Sequence, residues 1–364
     1  MSKRFVVLGG AGTIGRVVVR DLSESRPGDH VIIADYNQEA AQFVADTIKN
    51  PDIEVRKADA RQPELLAGLL RGSDVVINCL QHDYNLMVMA AALEAGTNYV
   101  DLGGLFTWTR KQLRLDEKFR SAGLTAVIGV GCSPGITNVL AAYAVKQLTK
   151  VNSIKIRIGS KNFNQPDKKL SFPYSAQTII EELTLKPWVF QDGRFRQVLP
   201  RTGWEQTQFD KPVGPAWTVR TRHSEIATLP VSFKKNGLRF CDFKVGLDRP
   251  FVKEVMKRLR NGWTMPEFQK LVATPPEPND YEIVRVMADD MTIDCHSRSR
   301  PDWRASAGDI NTACPISIAA QMIAEGEIEQ PGVSPPEIAI HHECFAAGIF
   351  ILKLQLCGMK IVIN

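Results

Sequence analysis

Residues 5–15 read Phe-Val-Val-Leu-Gly-Gly-Ala-Gly-Thr-Ile-Gly, and Gly10, Gly12 and Gly15 carry the G-x-G-x-x-G spacing. Placed after a strand and at the head of a helix, that spacing is chemistry for a pyrophosphate. The first glycine allows a tight turn, the second lets phosphate reach the backbone, and the third lets helix and strand pack closely. The unpaired N–H groups and positive dipole end of the helix supply the attraction. Thr13 and Ile14 fall in the same loop and are expected cofactor contacts. Asp35 lies 20 positions beyond Gly15, at the end of a second apolar run, where a carboxylate accepts hydrogen bonds from a ribose diol. A carboxylate there repels a 2′-phosphate, and no Arg or Lys follows it in Asp35-Tyr36-Asn37. NAD is therefore expected in preference to NADP; Arg61 is the nearby base that weighs the other way.

These residues need a frame. Over the first 130 or so positions, short apolar runs at 5–8, 31–34, 53–55, 75–78, 99–102 and 126–130 read as strands. Continuous apolar runs such as Val-Ile-Ile-Ala suit strands covered on both faces, as in a parallel sheet. Between them, residues 14–22, 39–48, 63–70, 85–95 and 108–121 read as helices. Strand and helix in alternation predict a Rossmann-type, doubly wound parallel α/β sheet.

Ligands of such sheets sit beyond the carboxyl ends of the strands. After the third strand come Asp59 and Ala60, expected on the adenine side; after the fourth come Asn78-Cys79-Leu80-Gln81-His82, with Asn78 and Leu80 expected against the cofactor. Asp101-Leu102-Gly103-Gly104 follows the fifth strand and Gly131-Cys132-Ser133-Pro134-Gly135 the sixth. These last three loops are expected to meet around nicotinamide and substrate, Cys132 on the substrate side. His82 suits proton transfer near neutral pH, or is a loop histidine without a catalytic part. Asp101 is a catalytic candidate, or a strand-end carboxylate capping the next turn. Cys132 has no evident His base, so it is not expected to be a nucleophile.

Composition sets the outer limits. The 364 residues are 44% hydrophobic and 23% charged, an ordinary globular balance that excludes disorder, collagen-like repeats and a disulfide scaffold. A net charge of +5, without a basic run, argues against nucleic-acid binding. Cysteines 79, 132, 241, 295, 314, 344 and 357 form no CxxC pair or metal-ligand cluster, so reduced thiols in a cytoplasmic protein and no metal are expected. The N-terminal apolar run is cut by Gly9, Gly10, Gly12 and Arg16, too short for a signal peptide, and Lys353 interrupts the apolar stretch 345–352, far below a membrane span.

Past residue 135 the texture changes. Residues 135–148 read as a helix after Pro134. Ile154, Ile156 and Ile158 alternate with Lys155 and Arg157, the pattern of a strand with one solvated face. Asp192-Gly193 marks a hairpin within 189–198, and 281–287 with 292–295 suggests another antiparallel pair. Helices are expected at 176–183, 252–259 and 310–325, and the Pro-rich patches 274–278 and 331–336 read as loops. The domains expected are thus 1–134, the dinucleotide-binding domain; 135–309, an inserted second α/β domain with a mixed, largely antiparallel sheet; and 310–364, a segment returning to the first domain.

Tyr99-Val100-Asp101-Leu102-Gly103-Gly104 and Gly131-Cys132-Ser133-Pro134-Gly135-Ile136-Thr137-Asn138 resemble the saccharopine dehydrogenase-like family, which also holds lysine 6-dehydrogenase and carboxynorspermidine dehydrogenase. His223-Ser224-Glu225-Ile226-Ala227-Thr228-Leu229-Pro230 is similar to its middle-domain substrate motif. Residues 312–323 with Gly332-Val333-Ser334-Pro335-Pro336-Glu337 are similar to the helix and loop that close its fold. The resemblance runs from residue 1 to about residue 345. It implies a nicotinamide cofactor, hydride transfer at the C–N bond of an amino-acid substrate through an imine, and a homodimer formed through the inserted domain. On that footing Arg222, and more weakly Arg220, would clamp a substrate carboxylate, His223 would join them, and Glu225 would bind the substrate ammonium. Asn138 resembles the lysine and carboxynorspermidine enzymes more than the saccharopine reductases, which tend to have His there. His82 departs from the pattern, standing where an aromatic residue is expected, and the stretch from Phe345 onward is more apolar than the usual ending. Lysine 6-dehydrogenase, in lysine metabolism, is the nearest named activity; a non-catalytic cofactor-binding sensor or scaffold is the alternative from another class. A short-chain reductase would need Tyr-x-x-x-Lys, whereas Tyr143 and Lys146 are three apart.

Overall fold

A computed structural model describes residues 2–164, 174–272, 277–340 and 344–364. They divide into two units, 1–143 with 311–357 and 144–310 with 358–364.

The first unit alternates β1 (Arg4–Leu8), α1 (Gly15–Ser25), β2 (His30–Asp35), α2 (Gln38–Ile48), β3 (Ile53–Lys57) and α3 (Pro63–Leu70). It continues through β4 (Val75–Asn78), α4 (Asn85–Ala95), β5 (Asn98–Asp101), α5 (Phe106–Gln112), α6 (Asp116–Ser121) and β6 (Thr125–Val127), and α7 (Ile136–Gln147) leads out of it. The second unit holds β7 (Ser153–Asn162), α8 (Ala176–Thr184), β8 (Trp188–Gln191), β9 (Arg194–Gln197), β10 (Glu205–Gln208) and β11 (Pro215–Arg220). Then come α9 (Glu225–Ser232), β12 (Phe240–Gly246), α10 (Arg249–Arg260), α11 (Met265–Gln269), β13 (Asp280–Ala288) and β14 (Met291–Arg298). The chain returns to the first unit with α12 (Ala307–Ala324), β15 (Gly332–Ser334), α13 (Pro336–Ala339) and α14 (Cys344–Leu356), and β16 (Lys360–Ile363) goes back to the second.

Seven strands of the first unit pair in parallel in the order β15-β6-β5-β4-β1-β2-β3. Phe5–Leu8 and the apolar residues of β2 and β4 are all buried, as strands covered on both faces must be. Chain order runs one way from β1 to β3 and the other way from β4 to β6, so the switch point lies between β1 and β4, beside the glycine loop.

The second sheet runs β10-β11-β12-β7-β13-β14-β16, with β8 pairing β12 and β9. Its β12–β7 pair is parallel and its other pairs are antiparallel. Asp192 (φ 54°) and Gly193 (φ 75°) make the β8–β9 turn, the positive φ pair that a two-residue hairpin needs.

The structure departs from the sequence expectations in several places. The strand expected at 126–130 ends at Val127, which frees the following residues to line the carboxyl edge. The helix expected at 108–121 is α5 and α6 with a 3-10 turn, Leu113–Leu115, between them. The 331–336 patch contains β15, a short edge strand pairing with β6, its prolines kept outside the three paired residues; residues 274–276 of the other patch lie outside the described residues. Lys155 is exposed, but Arg157 beside it is only 2% exposed and not on a solvated face. It donates to Asp242 Oδ1 at 2.7 Å and to Glu205. The segment 310–364 divides: α14 buries Phe350 and Leu354 in the first unit, whereas β16 adds to β14. Among the described residues, no helix is long and apolar enough to cross a membrane.

Candidate active site

The glycine loop joins β1 to α1. The positive φ that closes it is at Gly9 (71°), one residue before the motif's first glycine, and a Cβ there would come within 2.9 Å of Leu80 Cδ2. Leu80 thus packs against the loop from the end of β4. A Cβ at Gly10 would meet Ile33 Cγ2 at 2.9 Å and Val7 O at 3.0 Å, so Gly10 serves close packing on the strands. At Gly15 it would lie 2.1 Å from Gly9 O and 2.7 Å from Gly10 Cα. Gly12 is different: only Gly9 O lies near its Cβ position, at 3.1 Å, and the residue is exposed, as is Thr13, while Ile14 is half-buried. The helix opens with no side-chain cap and no acidic residue in its first turn, so the positive end of its dipole is left for an anion.

Asp35, last in β2, ties the loop down. Its Oδ2 accepts from Ala11 N at 3.1 Å and its Oδ1 from Asn37 N at 3.0 Å. Each oxygen keeps a lone pair for a hydroxyl. Asp59 is engaged by Arg61, which donates Nη2 to Oδ2 at 2.7 Å; this hydrogen bond holds the Asp59 carboxyl down at about 2. The base that weighed against NAD is thereby paired with the neighbouring acid. Ala60 belongs to the hydrophobic cluster of Ala34 and Leu66, so its methyl group is a packing group. The residues present fit a dinucleotide: a backbone cradle, an open approach at Gly12 and a carboxylate at the ribose position.

Beyond β4 and β5 lies a buried polar network. Asn78 donates to Asn85 Oδ1 at 3.0 Å and to Tyr99 Oη at 3.1 Å, and Leu80 N donates to Asn78 Oδ1 at 3.2 Å. Asp101 is 0% exposed and accepts four hydrogen bonds. Tyr99 Oη donates to Oδ2 at 2.7 Å and Gln112 Nε2 to the same oxygen at 2.5 Å; Gly103 N and Gly129 N each donate to Oδ1 at 2.7 Å. Burial pushes its carboxyl above the ordinary aspartate range, against the pull of those four donors. Of the two readings of Asp101, the geometry is that of the strand-end carboxylate capping the next turn: with its acceptor positions engaged and no surface, it fixes the loops after β5 and β6. Gly103 (φ 96°) and Gly129 (φ 78°) lie close against Pro134, so these loops are also packed together.

His82 opens the 3-10 turn His82–Tyr84, its ring 5.9 Å from Trp108 and its Nε2 3.4 Å from Asp83 Oδ1. It places an imidazole at this edge. Cys132 is a half-buried thiol in the Gly131–Gly135 turn. Asn138 is not a surface contact for substrate: it is 1% exposed, accepts from Gly135 N at 3.0 Å and donates to Glu337 Oε2 at 2.7 Å. It braces the turn from α7.

In the second unit, Ser224 and α9 bring His223 and Glu225 together. His223 Nδ1 lies 2.6 Å from Glu225 Oε2, and its Nε2 lies 3.6 Å from Glu182 Oε1 of α8. Its ring stacks on Phe243 at 3.8 Å. Burial opposes the charged ring, but the two carboxylates outweigh it and raise the His223 pKa to about 10. The expectation that Glu225 meets a substrate ammonium is corrected, since Glu225 is 0% exposed and committed to His223. Arg222 turns elsewhere, donating Nε to Lys186 O at 3.0 Å, and Arg220 is held by Asp242 at 3.1 Å. A raised folded-state pKa gives stability that is full below the unfolded value of 6.5 and is lost as pH climbs toward 10. Urea unfolding across that window is expected to show a fall of a few kcal/mol in the wild type and a clearly flatter profile in Glu225→Gln.

Sequence reasoning missed Tyr99, Asn85, Gln112, Glu182 and Glu337 as parts of these networks. Asn85 and Gln112 were legible as polar residues on otherwise buried helix faces; Glu182 meets His223 only through space. As for metals, the described groups of potential ligands are Asp21, Cys314 and Cys357, and Asp210, Asp294 and His296. In the second group Arg285 already pairs with both carboxylates.

Residues 5–127 match the family model described as the saccharopine dehydrogenase NADP binding domain, and residues 131–349 match that of the saccharopine dehydrogenase C-terminal domain. The chain is 27% identical over 212 residues to carboxyaminopropylagmatine dehydrogenase of Synechocystis sp., covering 55% of this chain and 52% of that protein. It is 26% identical over 215 residues to carboxynorspermidine synthase of Vibrio alginolyticus, covering 52% and 50%. The aligned parts thus span about half the length of these curated relatives. Among solved structures, apo saccharopine dehydrogenase (L-Glu forming) of Saccharomyces cerevisiae superposes with a TM-score of 0.75 at 14% identity, over 100% of this chain and 99% of that one. The homospermidine synthase of Legionella pneumophila in complex with NAD gives 0.73 at 15% identity, over 100% and 91%. At these identities the two structures establish a shared fold.

Proposed function

Because the chain belongs to the saccharopine dehydrogenase family, we propose that it is an oxidoreductase moving hydride between a nicotinamide dinucleotide and the carbon of a C–N bond in an amino acid or amino-acid-derived imine. The observation that carries this reading is the Asp35 carboxylate at the end of β2, hydrogen-bonded into the glycine loop beside the switch point of the sheet. When bound, the nicotinamide supplies a hydride acceptor or donor at its C4. The loop amides around Gly12 would hold the pyrophosphate, and Asp35 would hold the ribose hydroxyls. Asp101 and Asn138 set the loops that flank the reacting end. A substrate amine must lose a proton before hydride leaves its carbon, and His82 is the group at the carboxyl edge to take it. In the second unit His223 is held at Nδ1 by Glu225 and lies 3.6 Å from Glu182 at Nε2, so it serves to position those carboxylates.

The names carboxyaminopropylagmatine dehydrogenase and carboxynorspermidine synthase favour a carboxylated polyamine over free lysine as the substrate class. Lysine 6-dehydrogenase activity becomes the second arm of the test. A homodimer formed through the second domain belongs to the same reading, and sedimentation of the full chain measures it. The deciding assay follows absorbance of the reduced nicotinamide with NAD and NADP in parallel. It offers carboxynorspermidine, saccharopine, lysine and ornithine, and in reverse semialdehydes with diamines. Turnover on a carboxylated amine is the expected result. Tight cofactor binding with silence across the panel would move the assignment to a non-catalytic dinucleotide-binding protein.

NAD is proposed as the preferred cofactor. Asp35→Ser is expected to weaken NAD about tenfold, roughly 1.4 kcal/mol, and NADP less, as read by equilibrium titration. Equal losses for both would mean that Asp35 acts only through the Ala11 hydrogen bond.

A further inference from the structure

In the second unit, the loop before β10 and one side of α10 frame an open surface cavity of about 410 Å³. Its cationic lining is Arg201, Arg249, Lys253 and Arg260, with Trp204 as its aromatic wall. Arg249, Lys253 and Arg260 fall at i, i+4 and i+11 of α10, and Val252 and Met256 lie between them as an apolar floor on the same side. Among the described residues, none of the four cations has a carboxylate within ion-pair distance, and no acidic residue lines the cavity. The same helix neutralises Arg258, which donates to Glu254 at 2.9 Å. Unpaired cations converging on one cavity repel each other, a cost that a bound anion removes.

The arginines are also held in place. The Arg249 guanidinium lies 4.0 Å from the Trp217 ring and 5.2 Å from the Trp204 ring. A guanidinium held against aromatic rings keeps N–H donors that an anion can accept. Arg201 is anchored through one nitrogen to Leu183 O and keeps its other donors. Planar forks fixed in this way suit phosphate oxygens, which take two parallel hydrogen bonds from one guanidinium.

We infer that this cavity is a binding site for a small phosphate-bearing anion. It is formed wholly by residues of the second unit, whereas the dinucleotide loop belongs to the first.

Isothermal titration of the full chain with sodium pyrophosphate, in saturating NAD so that the glycine loop is filled, tests it. Saturable binding to one site per chain is expected, with affinity falling steeply as salt is added. Lys253→Gln/Arg260→Gln is expected to weaken that binding at least tenfold while NAD affinity stays as in the wild type. Both residues are exposed on α10; an unchanged circular dichroism spectrum and unfolding midpoint confirm the fold, and Arg249→Gln gives an independent second reading. Absence of saturable heat up to millimolar pyrophosphate, or equal affinity in wild type and variants, would overturn the inference. Citrate binding more tightly than pyrophosphate would overturn the phosphate assignment.

Discussion

Gly15→Ala is expected to abolish dinucleotide binding within the measurable range, a loss of at least a hundredfold, or about 2.7 kcal/mol. One methyl group does this because of where it must go: its Cβ would sit 2.1 Å from Gly9 O and 2.7 Å from Gly10 Cα. Neither neighbour can yield alone. Gly9 is pinned by its N–H to Ala34 O at 2.9 Å and by Leu80 packed over it, and Gly10 backs onto Ile33. The loop must therefore move as a body, carrying the Ala11 N–H away from Asp35 and re-aiming the first turn of α1. The same substitution at Gly68, an exposed site within α3 with nothing inside 4 Å of its Cβ position, is expected to raise stability by about 0.5–1 kcal/mol instead. Titration with NAD and thermal unfolding of both variants check the contrast in sign. A Gly15→Ala chain that binds NAD as the wild type does would remove the glycine loop from the site.

Asp101→Ala is expected to cost about 3–5 kcal/mol of folding stability, because four donors lose their acceptor inside the protein. Tyr99 Oη and Gln112 Nε2 are left facing a cavity, and the amides of Gly103 and Gly129 lose the carboxylate that joins their loops. Asp101→Asn keeps the shape and one acceptor oxygen but turns an NH2 toward two donors, so an intermediate loss is expected. Chemical denaturation of the three chains gives the order wild type, Asn, Ala. A purely catalytic Asp101 predicts the reverse pattern: lost turnover in Asp101→Asn with stability unchanged.

The halves of the chain were unequally legible, for a physical reason. In the first unit the strands are covered on both faces, so each reads as an unbroken apolar run, and the glycine spacing marks the loop directly. The boundaries that moved, at Val127 and around Leu113–Leu115, lie where a strand or helix gives way to residues serving the edge of the sheet. In the second unit the sheet hides its charges in pairs. β12 reads Phe-Cys-Asp-Phe-Lys-Val-Gly, and Asp242 and Lys244 look like a solvated face, yet both are buried. Asp242 accepts from Arg157 and Arg220, and Lys244 donates to Glu205. Alternation marks strands only where the polar face meets water, and here it meets other polar side chains from β7, β10 and β11. The site shows the same division. Residues whose role is local, such as Gly10, Gly15 and Asp35, were named from spacing. Asn138 was read as a substrate contact and Asp101 as either a catalytic group or a strand-end cap, and spacing could not decide, because their partners, Glu337 for one and Gln112 with Gly129 for the other, come from elsewhere in the chain.

β15 pairs with β6 in the register Gly332↔Thr125, and β16 pairs with β14 only from residue 360 onward. During synthesis, β6 therefore leaves the ribosome with an open edge and waits while the whole second unit is made. That unit waits in turn, its β14 edge uncovered, until α14 has been added to the first. Neither half can finish before the other has nearly done so, and open strand edges invite pairing with other chains. Recombinant yield is accordingly expected to respond to how fast translation runs between residues 128 and 360, a dependence that slowing or speeding codons in that interval would expose.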